Sequence, residues 1–281
     1  MTDQTKRAHH YHAEAFALIG NLTHPVAQEV KPIAYSKLAE EGGYLSQRLE
    51  KYRLEAVASF QSAYTHVAGS LENKPGHGWN TLTTSVIEGF NVLDIVTADR
   101  IVAQIGTEHP LKGYVPTVTF LGTRFENLRI AGYPVNLSFD HEMLGPKPAN
   151  DLPYSSGSHV IERVTAQHRR ISSQSDVPTE VSSRYNQLPS NSTQQRVIEC
   201  SLVNQAEGGY PGRSFGHVID VTHFGQIYLA TLKVEESEFD APSQTFKKTL
   251  ITLNMIELRM GCIGGGTLSG GGNKTNGGTY P

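Results

Sequence analysis

Cysteine is nearly absent: Cys200 and Cys262 are the two in 281 residues, too few for a disulfide framework or for a zinc site closed by thiolates. Charge is scarce too. Asp, Glu, Lys and Arg make up 18% of the chain, and their net of −3 offers no basic face for nucleic acid or an anionic membrane. No run approaches the roughly eighteen consecutive apolar residues of a spanning helix, so no helical membrane span is expected. The opening MTDQTKRAHHYHAEAFALIG has neither a long apolar segment behind its charges nor a small-residue cleavage site, and no secretory leader is expected from it. This leaves localisation open between the cytoplasm and a processed, exported chain. A G-x-S-x-G elbow is missing, and neither cysteine opens a helix that would activate a thiolate.

Strand signals fill the space these absences leave. "WNTLTTSV", "VLDIVTADRIVAQI", "VPTVTFLGTRF", "RVIECSLVNQ", "HVIDVTHFGQIYLATLKVEE" and "KKTLITLNMIELRMGC" are rich in Val, Ile, Thr and aromatics. "YRLEAVASFQSAY" reads as one half-buried strand from Tyr52 to Tyr64, with Tyr52, Leu54, Ala56, Ala58, Phe60 and Tyr64 on one side. In "NLRIAGYPVNLSF", Gly132 and Pro134 mark a bend or hairpin. About ten strands at hairpin spacing predict an all-β fold, an antiparallel sandwich or barrel with little helix. "VLDIVTADRIVAQI" and "VIDVTHFGQIYLATL" echo one another, over too short a length to be a duplication.

The chain reads as a single β-rich domain, 1–281, interrupted by one polar stretch. "AQHRRISSQSDVPTEVSSRYNQLPSNSTQQR" lacks periodicity and is expected to form a long surface excursion, or a subdomain boundary within 166–196.

Candidate chemistry is thin. His10 and His12 fall on one face of a strand, spaced to share a metal, with third ligands available only from distant groups such as Asp140, His141, Glu142, His217, Asp220 or His223. Surface histidines clustered by chance are the alternative. The carboxylate pairs Asp94 with Asp99 and Asp140 with Glu142 could flank a glycosidic bond, or cap turns. Tyr114, Tyr133, Tyr154, Tyr185 and Tyr210, in loop-like segments, could stack on sugar rings. Asn-x-Ser/Thr sequons begin at Asn21, Asn136, Asn191 and Asn273 and matter only on a glycosylating route. The glycine-rich end fails as a phosphate loop, because Asn273 precedes Lys274-Thr275 and no helix follows. No cofactor is expected.

The segments "AEAFALIGNL", "TTSVIEGFNVLDIVTADRIVAQI", "VTFLGTRFENLRIAGYPVNL" and "ITLNMIELRMGCIGGGTLSGG" resemble the layout of bacterial choice-of-anchor surface proteins. The resemblance covers about half the chain. It implies a β-rich, non-enzymatic, externally displayed protein and supplies no catalytic residue.

The run "TLITLNMIELRM" reads as apolar on both faces, with Leu250, Thr252, Asn254, Ile256 and Leu258 on one and Ile251, Leu253, Met255, Glu257 and Arg259 on the other. Glycines follow it. Gly264, Gly265, Gly266, Gly270, Gly271 and Gly272 are therefore expected to let backbone approach backbone at a subunit contact, whose removal would spare most of the core. The leading expectation is a structural or interaction protein that forms a homo-oligomer. A carbohydrate-binding or glycoside-cleaving protein is the alternative. Far-ultraviolet circular dichroism of the folded chain should be β-dominated, and a helical content above about a third would overturn the fold class.

Overall fold

A computed structural model of the chain describes residues 9–24, 27–72, 74, 77–185, 190–191, 195–237, 247–261 and 265–279. In chain order its strands are β1 (His9–Leu22), β2 (Gln28–Ile33), β3 (Ser36–Lys37), β4 (Gly43–Leu54), β5 (Ala58–Leu71), β6 (Trp79–Val92), β7 (Val96–His109), β8 (Thr117–Thr119), β9 (Arg124–Glu126) and β10 (Arg129–Ile130). There follow β11 (Tyr133–Phe139), β12 (Ser190–Asn191), β13 (Gln195–Ser201), β14 (Val203–Gly208), β15 (Gly212–Phe215), β16 (Val218–Val221), β17 (Gly225–Ser237), β18 (Lys247–Met260) and β19 (Gly266–Thr279). Two α-helices, α1 (Ser158–Ser172) and α2 (Thr179–Tyr185), lie between β11 and β12. The expected all-β class holds. Most of the predicted runs fall in the long strands β1, β6, β7, β17 and β18, whereas "VPTVTFLGTRF" forms only the short β8 and β9, and the fourteen-residue β19 is a strand that alternation does not predict.

All the pairings are antiparallel and they make two sheets. The first runs β12-β13-β17-β18-β19-β1-β2, with β3 added to β1 and the β15–β16 hairpin added to β17. The second runs β14-β11-β10-β7-β6-β5-β4, with β8 and β9 also on β7. The sheets face one another: β1 lies against β5 and β6, and β19 against β6 and β7. One core cluster fills the space between them, from Ala17 and Leu18 through Ile87, Phe90 and Ile101 to Met255, Ile256 and Leu268.

Several corners are short hairpins set by left-handed residues. Tyr52 to Tyr64 is not one strand: the chain turns at Glu55 (φ 47°), Val57 N–H bonds to the Leu54 carbonyl at 3.0 Å, and Tyr52 comes to stack on Phe60 with ring centroids 5.0 Å apart. Alternation by itself does not register such a corner, because Ala56 fits either side. The two echoing segments hold the same device. Leu93 and Asp94 (φ 53° and 54°) turn β6 into β7, and His223 (φ 65°) turns β16 into β17, each closed by a 3.0 Å bond between Ile95 and Val92 or between Phe224 and Val221. Ala131 and Gly132 form the expected β10–β11 hairpin.

A transverse row of irregular residues crosses each sheet. In the second it passes through Lys51, Gln61, Gly89 and Asp99, and in the first through Ala230, Met255, Gly271 and Ala17; these residues drop out of ladders that continue in register on both sides. Lys51, Gly89, Ala230 and Gly271 have φ between 45° and 63°. One left-handed residue turns the pleat over, so the inward-facing set advances by one position. In β18 the buried residues are Ile251, Leu253 and Met255, and then Ile256, Leu258 and Met260. The two-faced apolar strand expected from sequence is thus a single buried face that changes parity midway.

This geometry accounts for the glycines. β19 is an interior strand, paired with β18 on one side and β1 on the other. A Cβ on Gly272 would stand 2.0 Å from the Phe16 ring, one on Gly270 would stand 3.0 Å from Ile256 and 3.4 Å from Phe90, and Gly271 holds φ +63° between Met255 and Ile101. Gly265 and Gly266 are crowded by Thr23 and by the Asn21 carbonyl in the same way. Gly264 and Cys262 lie outside the described residues. The close approach that glycine permits is therefore made within the chain, and the expectation that this segment can be removed while sparing the core is corrected.

The polar stretch is also corrected over much of its length. Residues 158–172 form α1, whose Val160, Val164, Gln167, His168 and Ile171 are buried. Gln167 satisfies the backbone where β13 gives way to β14: its Nε2 donates to the Ser201 carbonyl at 3.1 Å, and Ser201 N–H donates to its Oε1 at 2.8 Å. A polar residue that completes a sheet edge looks, in sequence, like a surface residue. Among the described residues no helix is long and apolar enough to cross a membrane.

Gly271→Ala should cost about 2 to 4 kcal/mol in denaturant unfolding, from the left-handed backbone together with overpacking against Met255 and Ile101. Deleting residues 266–279 should abolish cooperative unfolding. A truncated chain that still melts like the full one would refute the placement of β19.

Candidate functional site: an open sheet edge

The main strand orders of the two sheets end in four strands, and three of these are short or covered. β2 carries Lys31 and Pro32, β12 is two residues long, and Ala206 of β14 bonds to the Gly216 carbonyl at 2.9 Å. The fourth is β4. It has twelve residues, GYLSQRLEKYRL, paired with β5 along one side; among the described residues no backbone bond reaches the other. Most of its side chains are exposed above and below. Tyr44 is 80% exposed, and its neighbour Leu45 points to the opposite face, 39% exposed. Arg48 and Glu50 share the Tyr44 face and pair with each other at 2.8 Å. That face continues across the second sheet through Tyr64, stacked on His66, to Leu82. At the corner end of β4 an open groove of about 590 Å³ is lined by Lys51, Tyr52, Arg53, Phe60, Asn91 and Asp94, among others.

The residues singled out from sequence are dispersed. His10 and His12 do share the outward face of β1, but His10 Nδ1 faces Glu40 at 3.4 Å and His12 Nε2 faces Glu14 at 3.2 Å. The Glu14 carboxyl is held down to about 2, first by its bond to His12. Among the described residues no three His, Cys, Asp or Glu side chains converge to hold a metal ion. Asp94 is bonded to Asn91 at 2.6 Å, Asp99 to Asn127 at 2.6 Å, and Asp140 to Arg163. They act as turn and helix anchors. Of the five tyrosines, Tyr154, Tyr185 and Tyr210 are buried, so the stacking platform expected for sugars does not form from them. Cys200 is buried, and burial pushes its thiol well up.

Two buried polar clusters escaped the sequence. His9 stacks on Trp79 at 5.0 Å, with the His109 ring 4.8 Å away; burial lowers His9 to about 4 and His109 to about 3. Beneath α2, Tyr185 and His217 share a hydrogen bond of 2.6 Å, and burial lowers His217 to about 3. Arg184 grips Glu257 with two 3.0 Å bonds, reaches Glu199, and lies over the Tyr228 ring at 4.5 Å. Burial opposes its charge, and the facing carboxylates of Glu257 and Glu199 outweigh that. No spacing links residues 184, 199, 217 and 257, so only the fold reveals them. In "HHYH", His9 falls on the same inward face as Tyr11 by ordinary strand alternation.

These features define an all-β protein of two facing antiparallel sheets with one long uncovered edge. The chain belongs to the family described as a domain of unknown function (DUF8256), whose model matches residues 9–235, β1 to within β17. No curated protein matches it.

His9, His109 and His217 are held neutral when folded, but would each take up a proton near 6.5 when unfolded. The unfolded state therefore binds more protons between about pH 6.5 and 3, and stability should fall as pH falls through that window. Urea midpoints should drop from pH 7 to pH 5. His109→Phe should flatten the slope by about one proton's worth. A midpoint indifferent to pH over this range would contradict the burial of these rings.

Proposed function

We propose that this chain is a non-enzymatic structural or interaction protein that self-associates by joining the open sheet edge of one copy to that of another. The observation that carries this is β4, twelve residues with unclaimed backbone donors and acceptors along one side and the exposed apolar residues Tyr44 and Leu45 on its two faces. Such an edge is a template for a further strand, and folded proteins ordinarily shorten or cover it. The engagement of Asp94, Asp99 and Asp140 by neighbouring side chains supports a non-catalytic role for those carboxylates. The resemblance to choice-of-anchor proteins supports display at a cell surface, where an edge that adds strands would serve assembly.

Sedimentation of the full chain from about 1 to 100 µM should give a mass above the 30.7 kDa monomer, since edge pairing of moderate area is expected to have micromolar affinity. The paired substitution Tyr44→Lys with Leu45→Lys should return it to monomer with an unchanged dichroism spectrum. A monomer throughout, or an oligomer indifferent to these lysines, would refute the proposal.

A further inference from the structure

The charge order along β4 selects one register for that pairing. We infer that two copies join antiparallel about a two-fold axis at Leu49, so that Arg48 of each faces Glu50 of the other; this rests on the self-association proposed above. In an antiparallel pair related by a two-fold axis normal to the sheet, opposed residues lie on the same face, so even positions meet even and odd meet odd. On the regular stretch of β4 before the left-handed Lys51, the charged positions are Arg48 and Glu50, both on the outward face. Centring on Arg48 or on Glu50 would oppose each to its own copy. Centring at Gln47 would place Arg48 against Ser46 and Glu50 against Tyr44, leaving both ions without partners across the seam. Only the axis at Leu49 makes two reciprocal Arg–Glu pairs. It also brings Leu49 against Leu49.

The geometry within one copy is compatible with this exchange. Arg48 and Glu50 already bond to each other on one face of the strand, with side chains 69% and 58% exposed, so both can turn to a partner without disturbing the core. Like charges directly opposed across a ladder are destabilising, and opposite ones stabilise by a similar amount.

Four chains test it: wild type, Arg48→Glu, Glu50→Arg, and the double exchange. In either single variant both seam pairs become like-charged, and the dimer dissociation constant should rise about tenfold. The double exchange should restore it. Mixing the two single variants should raise the weight-average mass in sedimentation, because a chain with carboxylates at both positions then faces a chain with guanidiniums at both, and two opposite pairs form again. Both positions are exposed, and dichroism confirms that each variant folds. If the wild type associates while the single variants associate equally well and mixing adds nothing, the register is refuted and self-association stands. If the wild type is monomeric at the highest concentration, self-association fails and the register with it.

Discussion

The interior position of β19 is the constraint on which the rest depends. A strand of glycine, serine, threonine and asparagine sits between β18 and β1, and it can do so because its missing side chains leave room for neighbouring ones. The Phe16 ring occupies the space beside Gly272, and Phe90 and Ile256 approach Gly270. At Gly271 the left-handed backbone turns the pleat over, in line with Ala17, Met255 and Ala230, so four neighbouring strands change parity together. A single strand changing parity alone would turn its apolar side chains away from the core while its neighbours stayed inward. The second sheet carries a matching row, and Gly271 packs against Ile101 of that sheet.

Polar residues lock the helical segment onto this frame. Arg184 is partly buried between two carboxylates and over an aromatic ring, an arrangement that fixes the end of α2 against β13, β17 and β18. Removing one partner of such a group leaves a partly buried charge without compensation, which destabilises the fold. Gln167 works similarly, by its amide rather than by charge. The acid sensitivity of the fold arises from the same economy of polar groups: His9, His109 and His217 occupy apolar positions as neutral rings.

Against this closed interior, β4 stands apart. The first sheet does not cover it: β3 lies nearby, but the exposed pattern persists along nearly the whole strand. The corner beyond Lys51 adds a groove with charged and aromatic walls. An uncovered edge is a local property of the assembled sheet, and in the function we propose it is the feature that gives this family member a chemistry of association rather than of catalysis.

The sequence by itself determined the fold class, because Val, Ile, Thr and aromatic residues alternating with polar ones favour a pleated, half-buried surface whatever their neighbours. Gly132 also marked the β10–β11 hairpin, since glycine adopts its left-handed backbone readily; Ala131, left-handed beside it, was not legible. The sequence did not determine the corner at Glu55, the parity change at Met255, or the helix at residues 158–172, where Gln167 and His168 are polar yet buried. Of the site, the sequence held the order of charges in "GYLSQRLEKYRL" but offered no sign that this strand, rather than the glycine-rich end, would be the exposed one. Alternation is a relation between residues two apart, whereas which strand lies inside depends on partners distant in the chain. Gly272 is interior because Phe16 needs its space, and β4 is an edge because no other described strand pairs beyond it; only the tertiary structure brings either fact into being.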